Sequence, residues 1–172
     1  MKSEDLTEYV VTRYYRAPEI MLSSHEYTNA VDVWSTGCSF GEVLSGKVVF
    51  PGQNYIEQIV LIINMRGTPD QHTLGLISNE YALKYVKSLP DKEKVPLDTL
   101  FPNAPPEALD LIDKLLDMNP ERRITTEEAL KHPFLASLHD EDDEPVFSGY
   151  FDFSFENDAT LTMVKIQRLI MK

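Results

Sequence analysis

Four side chains near the amino terminus could together accept and bind a phosphate group. Thr7 and Tyr9 carry hydroxyls on either side of a glutamate, and Arg13 and Arg16 follow shortly afterwards. Phosphorylation would add about −1.5 to −2 charges and three strong acceptor oxygens, and planar guanidinium groups bind such oxygens in pairs. The pattern predicts a loop that phosphorylation orders, although the same residues could form an ordinary polar turn.

Composition limits the classes of protein to which the chain can belong. Its 172 residues are 42% hydrophobic, which favours a single globular domain. The 28 acidic and 16 basic residues give a net charge of −12, which argues against nucleic-acid and membrane partners and favours basic peptides. A single cysteine, Cys38, fits a reducing compartment. With no signal peptide and no long apolar run, we expect a soluble cytoplasmic protein.

Hydrophobic periodicity predicts a mainly α fold. Residues 29–44 are apolar on nearly every side of a helix, which is typical of a buried helix, and Gly46 predicts its end. Thr125 and Glu128 form a capping box, which predicts the start of another helix. Further helices are predicted from apolar residues at helical spacing over 18–22, 55–65, 80–89, 106–118 and 161–170.

Three motifs carry a resemblance to a known family. The run from Thr7 to Glu19 resembles the activation lip of the MAP kinases, and its Thr-Glu-Tyr motif resembles the dual-phosphorylation motif of the extracellular-signal-regulated kinases. The Asp-x-Trp-Ser-x-Gly sequence at 32–37 is similar to the kinase F helix, and the Pro-x-x-Arg sequence at 120–123 to the turn before the I helix. The resemblance implies a protein-kinase-like fold represented by its large lobe, which is incomplete. Tyr14 looks closer to the Jun N-terminal kinases, so the subgroup stays open.

The resemblance also divides the chain into two parts. Residues 1–136 would be a partial protein kinase domain from the activation lip to the I helix, with the MAP kinase insert at about 70–104. Residues 137–172 would be a carboxyl-terminal extension with an acidic docking motif and a tail helix. Asp140 and Asp143 lie at the motif positions, although a block of acidic residues could equally be a solvated tail.

Further residues acquire roles through the same resemblance. Thr7 and Tyr9 would be the sites of regulatory phosphorylation. Glu19 would pair with Arg123 as a structural anchor. Asp32 would accept hydrogen bonds from the catalytic loop, unless it only favours the start of its helix through the dipole. The remaining assignments are Trp34 as a second F-helix anchor and a substrate pocket formed by Val10, Val11, Thr12 and Arg16.

Family positions imply a hydrophobic pocket for docking peptides as well. An aromatic-lined groove is a suitable peptide anchor, but the same residues could simply belong to the core. The pocket would consist of Met21, Leu22, Tyr55, Ile56, Ile59 and Tyr85.

The motifs that hold the nucleotide in protein kinases are missing from the sequence. The chain has no Gly-x-Gly loop, no Val-Ala-x-Lys strand, no His-Arg-Asp loop and no Asp-Phe-Gly motif. No catalytic or metal-binding residue is therefore assigned. ATP and Mg²⁺ would be cofactors of an intact parent kinase, and neither is expected to bind this chain alone.

Three hypotheses follow from the resemblance, of which the third is a pseudogene-like fragment that does not fold. The first is a part of a proline-directed serine/threonine kinase of the MAP kinase cascade, acting in the cytoplasm or nucleus. Its partners would be an upstream dual-specificity MAP kinase kinase, substrates with Ser/Thr-Pro sites, and phosphatases or scaffolds with basic docking peptides. The second is a truncated, non-catalytic module that competes for docking partners. Whether a truncation at Met1 is biological stays open.

Overall fold

A computed structural model describes residues 13–23, 27–144, 149 and 162–170. Within these ranges every regular element is helical, so the predicted mainly α fold is confirmed. The chain divides into two compact units, Met1–His139 and Asp140–Lys172, whereas the sequence placed this division after residue 136.

The first unit contains most of the helices. A 3₁₀ turn precedes α1, and a second one follows α8. The α-helices are α1 (Pro18–Leu22), α2 (Ala30–Ser45), α3 (Tyr55–Arg66), α4 (Gln71–Gly75), α5 (Glu80–Ser88), α6 (Leu97–Leu100), α7 (Pro106–Leu115) and α8 (Thr126–Leu130), and the 3₁₀ turns are Arg13–Tyr15 and Pro133–Leu135.

The helix α2 is buried on one side only. Val33, Trp34 and Cys38 lie in the core, where α7 and the Arg13–Tyr15 turn pack against the helix. Burial raises the pKa of the Cys38 thiol to about 12. The opposite face is exposed at Asp32, Thr36, Ser39 and Val43. The prediction of a helix buried on nearly every side is therefore wrong for this face, because the described elements that pack against α2 lie on the other side.

The main core cluster contains side chains from α2, α3 and α7, among other elements. Trp34 and Phe50 stack at 5.8 Å between ring centroids with an interplanar angle of 16°, and Ile62 and Ile112 are fully buried beside them in one cluster. The close approach of α2 to α7 depends on Gly37, since a Cβ atom there would lie 2.9 Å from the Cβ of Leu115.

Several helix ends have local causes. The predicted capping box is confirmed: Thr125 Oγ1 accepts from the Glu128 N–H at 3.2 Å, and Glu128 Oε2 accepts from the Thr125 N–H at 2.9 Å. The helix α7 ends at Leu115 instead of residue 118, because the chain turns at Asp117. The Asp117 carboxylate accepts from the backbone of Asn119 at 2.8 Å.

The second unit contains the turn at Asp140–Glu144 and the helix α9 (Met163–Ile170). The predicted helix over 161–170 thus begins at Met163, with Met163 70% and Val164 58% exposed. None of the described helices is long and apolar enough to cross a bilayer.

Candidate functional site

The segment Arg13–Arg16 lies against α2 and the start of α3, and polar contacts hold it there. The Tyr15 hydroxyl donates to Glu42 Oε2 on α2 at 2.7 Å, and this hydrogen bond raises the pKa of Tyr15. Gln58 on α3 donates through Nε2 to the Tyr14 carbonyl at 3.3 Å. Side chains of two helices therefore position this short segment.

Both predicted phosphate-binding arginines contact one tyrosine. The guanidinium carbons of Arg13 and Arg16 lie 5.7 and 5.5 Å from the centroid of the Tyr55 ring, within the range of cation–π attraction. Arg16 also donates to the Tyr55 hydroxyl, and Arg13 donates to the Gln53 carbonyl at 3.0 Å. Tyr55 thus brings two positive charges together at the amino-terminal end of α3.

The predicted pair between Glu19 and Arg123 is present in the structure. Arg123 Nη1 and Nη2 donate to the two carboxylate oxygens at 2.7 and 3.0 Å, and the side chains are 8% and 0% exposed. Arg123 also donates to the Ala30 carbonyl at 2.6 Å and lies 5.1 Å from the centroid of Trp34. One guanidinium group therefore joins α1, α2 and the turn after α7.

The predicted anchor Asp32 is not part of this cluster. Its side chain is exposed, and within the described ranges its carboxylate makes no hydrogen bond. Its hydrogen bonds come from the backbone instead: the N–H donates to the Asn29 carbonyl at 3.1 Å, and the carbonyl accepts from the hydroxyls of Ser35 and Thr36 at 2.8 Å each. The described residues thus supply no partner for the role that the resemblance gave to Asp32.

The predicted hydrophobic docking set is divided by the structure. Leu22 and Ile59 are only 7% and 4% exposed and belong to the core cluster, so they offer no surface to a peptide. Tyr55 and Ile56 are 37% and 60% exposed. The other two members, Met21 and Tyr85, are partly buried.

The acidic docking residues form a turn in the second unit. Asp143 donates its backbone N–H to the Asp140 carbonyl at 3.0 Å, and Asp140 Oδ1 accepts from the Asp142 N–H at 3.1 Å. All three side chains are exposed. The turn therefore presents several carboxylates to solvent.

Other predicted site residues lie outside the described ranges. They are Thr7, Tyr9, Val10, Val11 and Thr12.

The sequence pattern did not identify Gln58 and Glu42, whose side chains hold the Arg13–Arg16 segment. Gln58 is fully buried within the largely apolar helix α3. Glu42 lies on α2, where the prediction rested only on the apolar residues. A polar residue at a core position is the only signal that could have pointed to Gln58. The described residues contain no group of His, Cys, Asp and Glu that could hold a metal ion.

Comparison with known proteins gives a consistent result. The protein kinase domain family matches residues 1–135. The chain is 50% identical over 169 residues to the mitogen-activated protein kinase mpkB of Aspergillus fumigatus, covering 96% of this chain and 48% of mpkB. It is 47% identical over 161 residues to the mitogen-activated protein kinase HOG1 of Wallemia sebi, covering 94% and 58%.

A third relative is the mitogen-activated protein kinase spk1 of Schizosaccharomyces pombe. It is 55% identical over 143 residues, covering 83% of this chain and 38% of spk1. The chain thus spans about half the length of the curated relatives that it matches, or less.

Proposed function

This chain belongs to the protein kinase family and is related along most of its length to MAP kinases, and we propose that it forms the regulatory and substrate-binding side of the large lobe of a proline-directed serine/threonine kinase. The enzyme would act in intracellular signalling, in the cytoplasm or nucleus. The observation that carries this proposal is the firm attachment of the Arg13–Arg16 segment to α2 and α3.

A substrate surface must keep its shape while peptides bind and leave. The Arg13–Arg16 segment meets this need, because Glu42, Gln58 and the Gln53 carbonyl each hold one of its residues. Behind it, the buried Glu19–Arg123 pair fixes α1. We assign Val10, Val11, Thr12 and Arg16 to the pocket that receives the residue after the phosphorylated Ser or Thr.

The positions of Arg13 and Arg16 support a regulatory role for the hydroxyls that precede them. Two guanidinium groups beside one tyrosine ring provide charged donors for a phosphate, in a chain whose net charge is −12. We assign Thr7 and Tyr9 as the residues that receive phosphate from an upstream dual-specificity MAP kinase kinase. Phosphate on either would then meet a preassembled pair of positive charges.

The protein kinase family implies ATP and Mg²⁺ in an intact enzyme. The residues described here do not fit this role, since no cluster of acidic or histidine side chains could hold a metal and the sequence lacks the nucleotide-binding motifs. We therefore expect that this chain alone transfers no phosphate and that other parts of a longer kinase bind the nucleotide.

The exposed acidic turn supports a second candidate function. Asp140 and Asp143 present carboxylates to solvent in a separate compact unit, which suits the binding of Lys/Arg-rich docking peptides from scaffolds, phosphatases or substrates. A chain with this turn and no nucleotide site would act as a non-catalytic competitor for such partners.

A peptide assay tests the main proposal. A kinase that carries these residues should phosphorylate a Ser-Pro peptide much faster than the matched Ser-Ala peptide, and the 172-residue chain alone should phosphorylate neither. Equal rates on the two peptides would contradict proline direction. Turnover by the chain alone above a no-enzyme control would contradict its inactivity.

A further inference from the structure

The side chain of Gln58 uses both ends of its amide in the interior. Gln58 is 0% exposed. Its Nε2 donates to the Tyr14 carbonyl at 3.3 Å, and its Oε1 accepts from the Gly52 N–H at 3.0 Å. The same Gly52 N–H also donates to the Phe50 carbonyl at 3.0 Å. One buried side chain therefore connects the Arg13–Arg16 segment with the turn that precedes α3.

The two partners require an amide at this position. A carbonyl needs a donor and an N–H needs an acceptor, and of the side chains of this length only glutamine supplies both. An ionised glutamate would present acceptors alone, and methionine would supply neither strong donor nor strong acceptor. The hydrogen-bonding partners also determine which end of the amide is oxygen.

Gly52 shows how closely the turn and the helix approach each other. A Cβ atom at this position would lie 2.7 Å from both the Cα and the N of Gln58, and closer still to its Oε1. Because two of these contacts are with backbone atoms, a side chain at Gly52 would push the turn away from α3. The contact between Gln58 and Gly52 thus depends on the absence of a side chain.

We infer that Gln58 is a positioning residue that fixes the Arg13–Arg16 segment at its distance from α3. Arg13 and Arg16 of this segment also donate to the Gln53 carbonyl and the Tyr55 hydroxyl, but Gln53 and Tyr55 are exposed, so water can replace a lost partner there. Water can reach the buried Gln58 amide only if the segment separates from the helix. The consequence for substrate binding rests on the proposed function, because that function places the substrate pocket on this segment.

Tryptic cleavage of the 172-residue chain measures this positioning without any need for kinase activity. Gln58→Met and Gly52→Ala should each raise the rate of cleavage after Arg13 and Arg16 by roughly fivefold or more relative to cleavage after Lys87, because the segment opens locally. Asn64→Met, at an exposed position on the same helix, is the matched control and should leave the ratio unchanged. An unchanged ratio in both test variants, or an equal rise at all three bonds, would overturn the inference.

A measurement on the unaltered chain covers the case in which the variants do not fold. The side-chain amide protons of Gln58 should exchange with solvent about tenfold more slowly than those of the exposed Gln71, since exchange requires the buried contact to open. Equal exchange rates would overturn the inference.

Enzyme kinetics test separately whether Gln58 affects substrate binding. In a kinase that carries these residues, Gln58→Met should raise KM for a Ser-Pro peptide several-fold and leave kcat within about twofold, because only the binding surface moves. A fall in kcat with unchanged KM would overturn this link. An unaltered kinase with no Ser-Pro activity would instead remove the proposed function, while the cleavage and exchange results would still stand.

Discussion

Arg123 binds both carboxylate oxygens of Glu19, a residue 104 positions earlier, at 2.7 and 3.0 Å. Both side chains are almost completely buried, so the loss of one leaves the other as an uncompensated charge. Arg123→Met should therefore lower the free energy of unfolding by about 3–5 kcal/mol. Denaturant unfolding followed by circular dichroism measures this loss.

The next residue along the chain supplies the control. Arg122 pairs with Asp70 at 2.5 Å, but both side chains are 49% exposed, and exposed pairs contribute about 0–1 kcal/mol. Arg122→Met should thus cost much less than Arg123→Met. Similar losses for the two variants would show that the buried pair is not an anchor.

Three aspartates with lowered pKa values should make the protein less stable at acid pH. The Thr73 backbone N–H and Arg122 hold the pKa of Asp70 below its usual range, and Lys114 and His132 do the same for Asp110. Burial alone would raise the pKa of Asp113, but Lys94 and Arg66 lower it overall.

The direction in which the free energy of unfolding changes with pH follows from where each state of the chain binds protons. In the unfolded chain these carboxylates take up protons near their ordinary pKa of about 4, whereas in the folded chain they do so only at lower pH. Unfolding is therefore favoured as pH falls below about 4, and the free energy of unfolding should decrease there.

Asp70→Asn keeps a side chain that can cap α4 and removes the titrating group. It should flatten the loss of stability between pH 5 and 2, whereas Asp91→Asn in an exposed loop should leave the profile unchanged. Denaturant midpoints measured across this range provide the test. A profile that Asp70→Asn leaves as steep as before would contradict the assignment.

The acidic turn should bind basic peptides in a salt-sensitive manner. Asp140→Asn/Asp143→Asn should weaken the binding of a Lys/Arg-rich docking peptide, and the difference should shrink with added salt, because exposed charges are screened within about 8 Å at physiological ionic strength. Isothermal titration calorimetry at low and high salt measures both the weakening of binding and its dependence on salt.

A second double variant controls for the loss of net charge. Asp91→Asn/Glu93→Gln removes the same charge from an exposed loop of the first unit. It should leave peptide affinity nearly unchanged. If both double variants weaken binding equally, the acidic turn has no special role and is a solvated tail.

Features with a local cause were predictable from the sequence. The capping box at Thr125 and Glu128 depends on residues three positions apart, and both of its hydrogen bonds are present. The helix end at Gly46 depends on one left-handed residue, with φ of 70°. The short helices α4 and α6 span five and four residues, so they show no periodicity from which they could be predicted.

Features that depend on distant parts of the chain were predictable only in part. The Glu19–Arg123 pair was expected because the family resemblance aligned both residues. The attachment of Tyr14 to Gln58 joins residues 44 positions apart, and no pattern near either residue indicates it. Burial was also misjudged, since Leu22 and Ile59 lie in the core while Val43 is 80% exposed.

We propose that the run from Thr7 to Glu19 is the regulatory lip of a MAP kinase. Mass spectrometry can test this proposal by mapping phosphate on a kinase that carries these residues, after reaction with an active dual-specificity MAP kinase kinase and Mg-ATP. We predict phosphate on both Thr7 and Tyr9, and only background incorporation in a Thr7→Val/Tyr9→Phe variant. Phosphate confined to other hydroxyls, or equal incorporation in the variant, would contradict the claim.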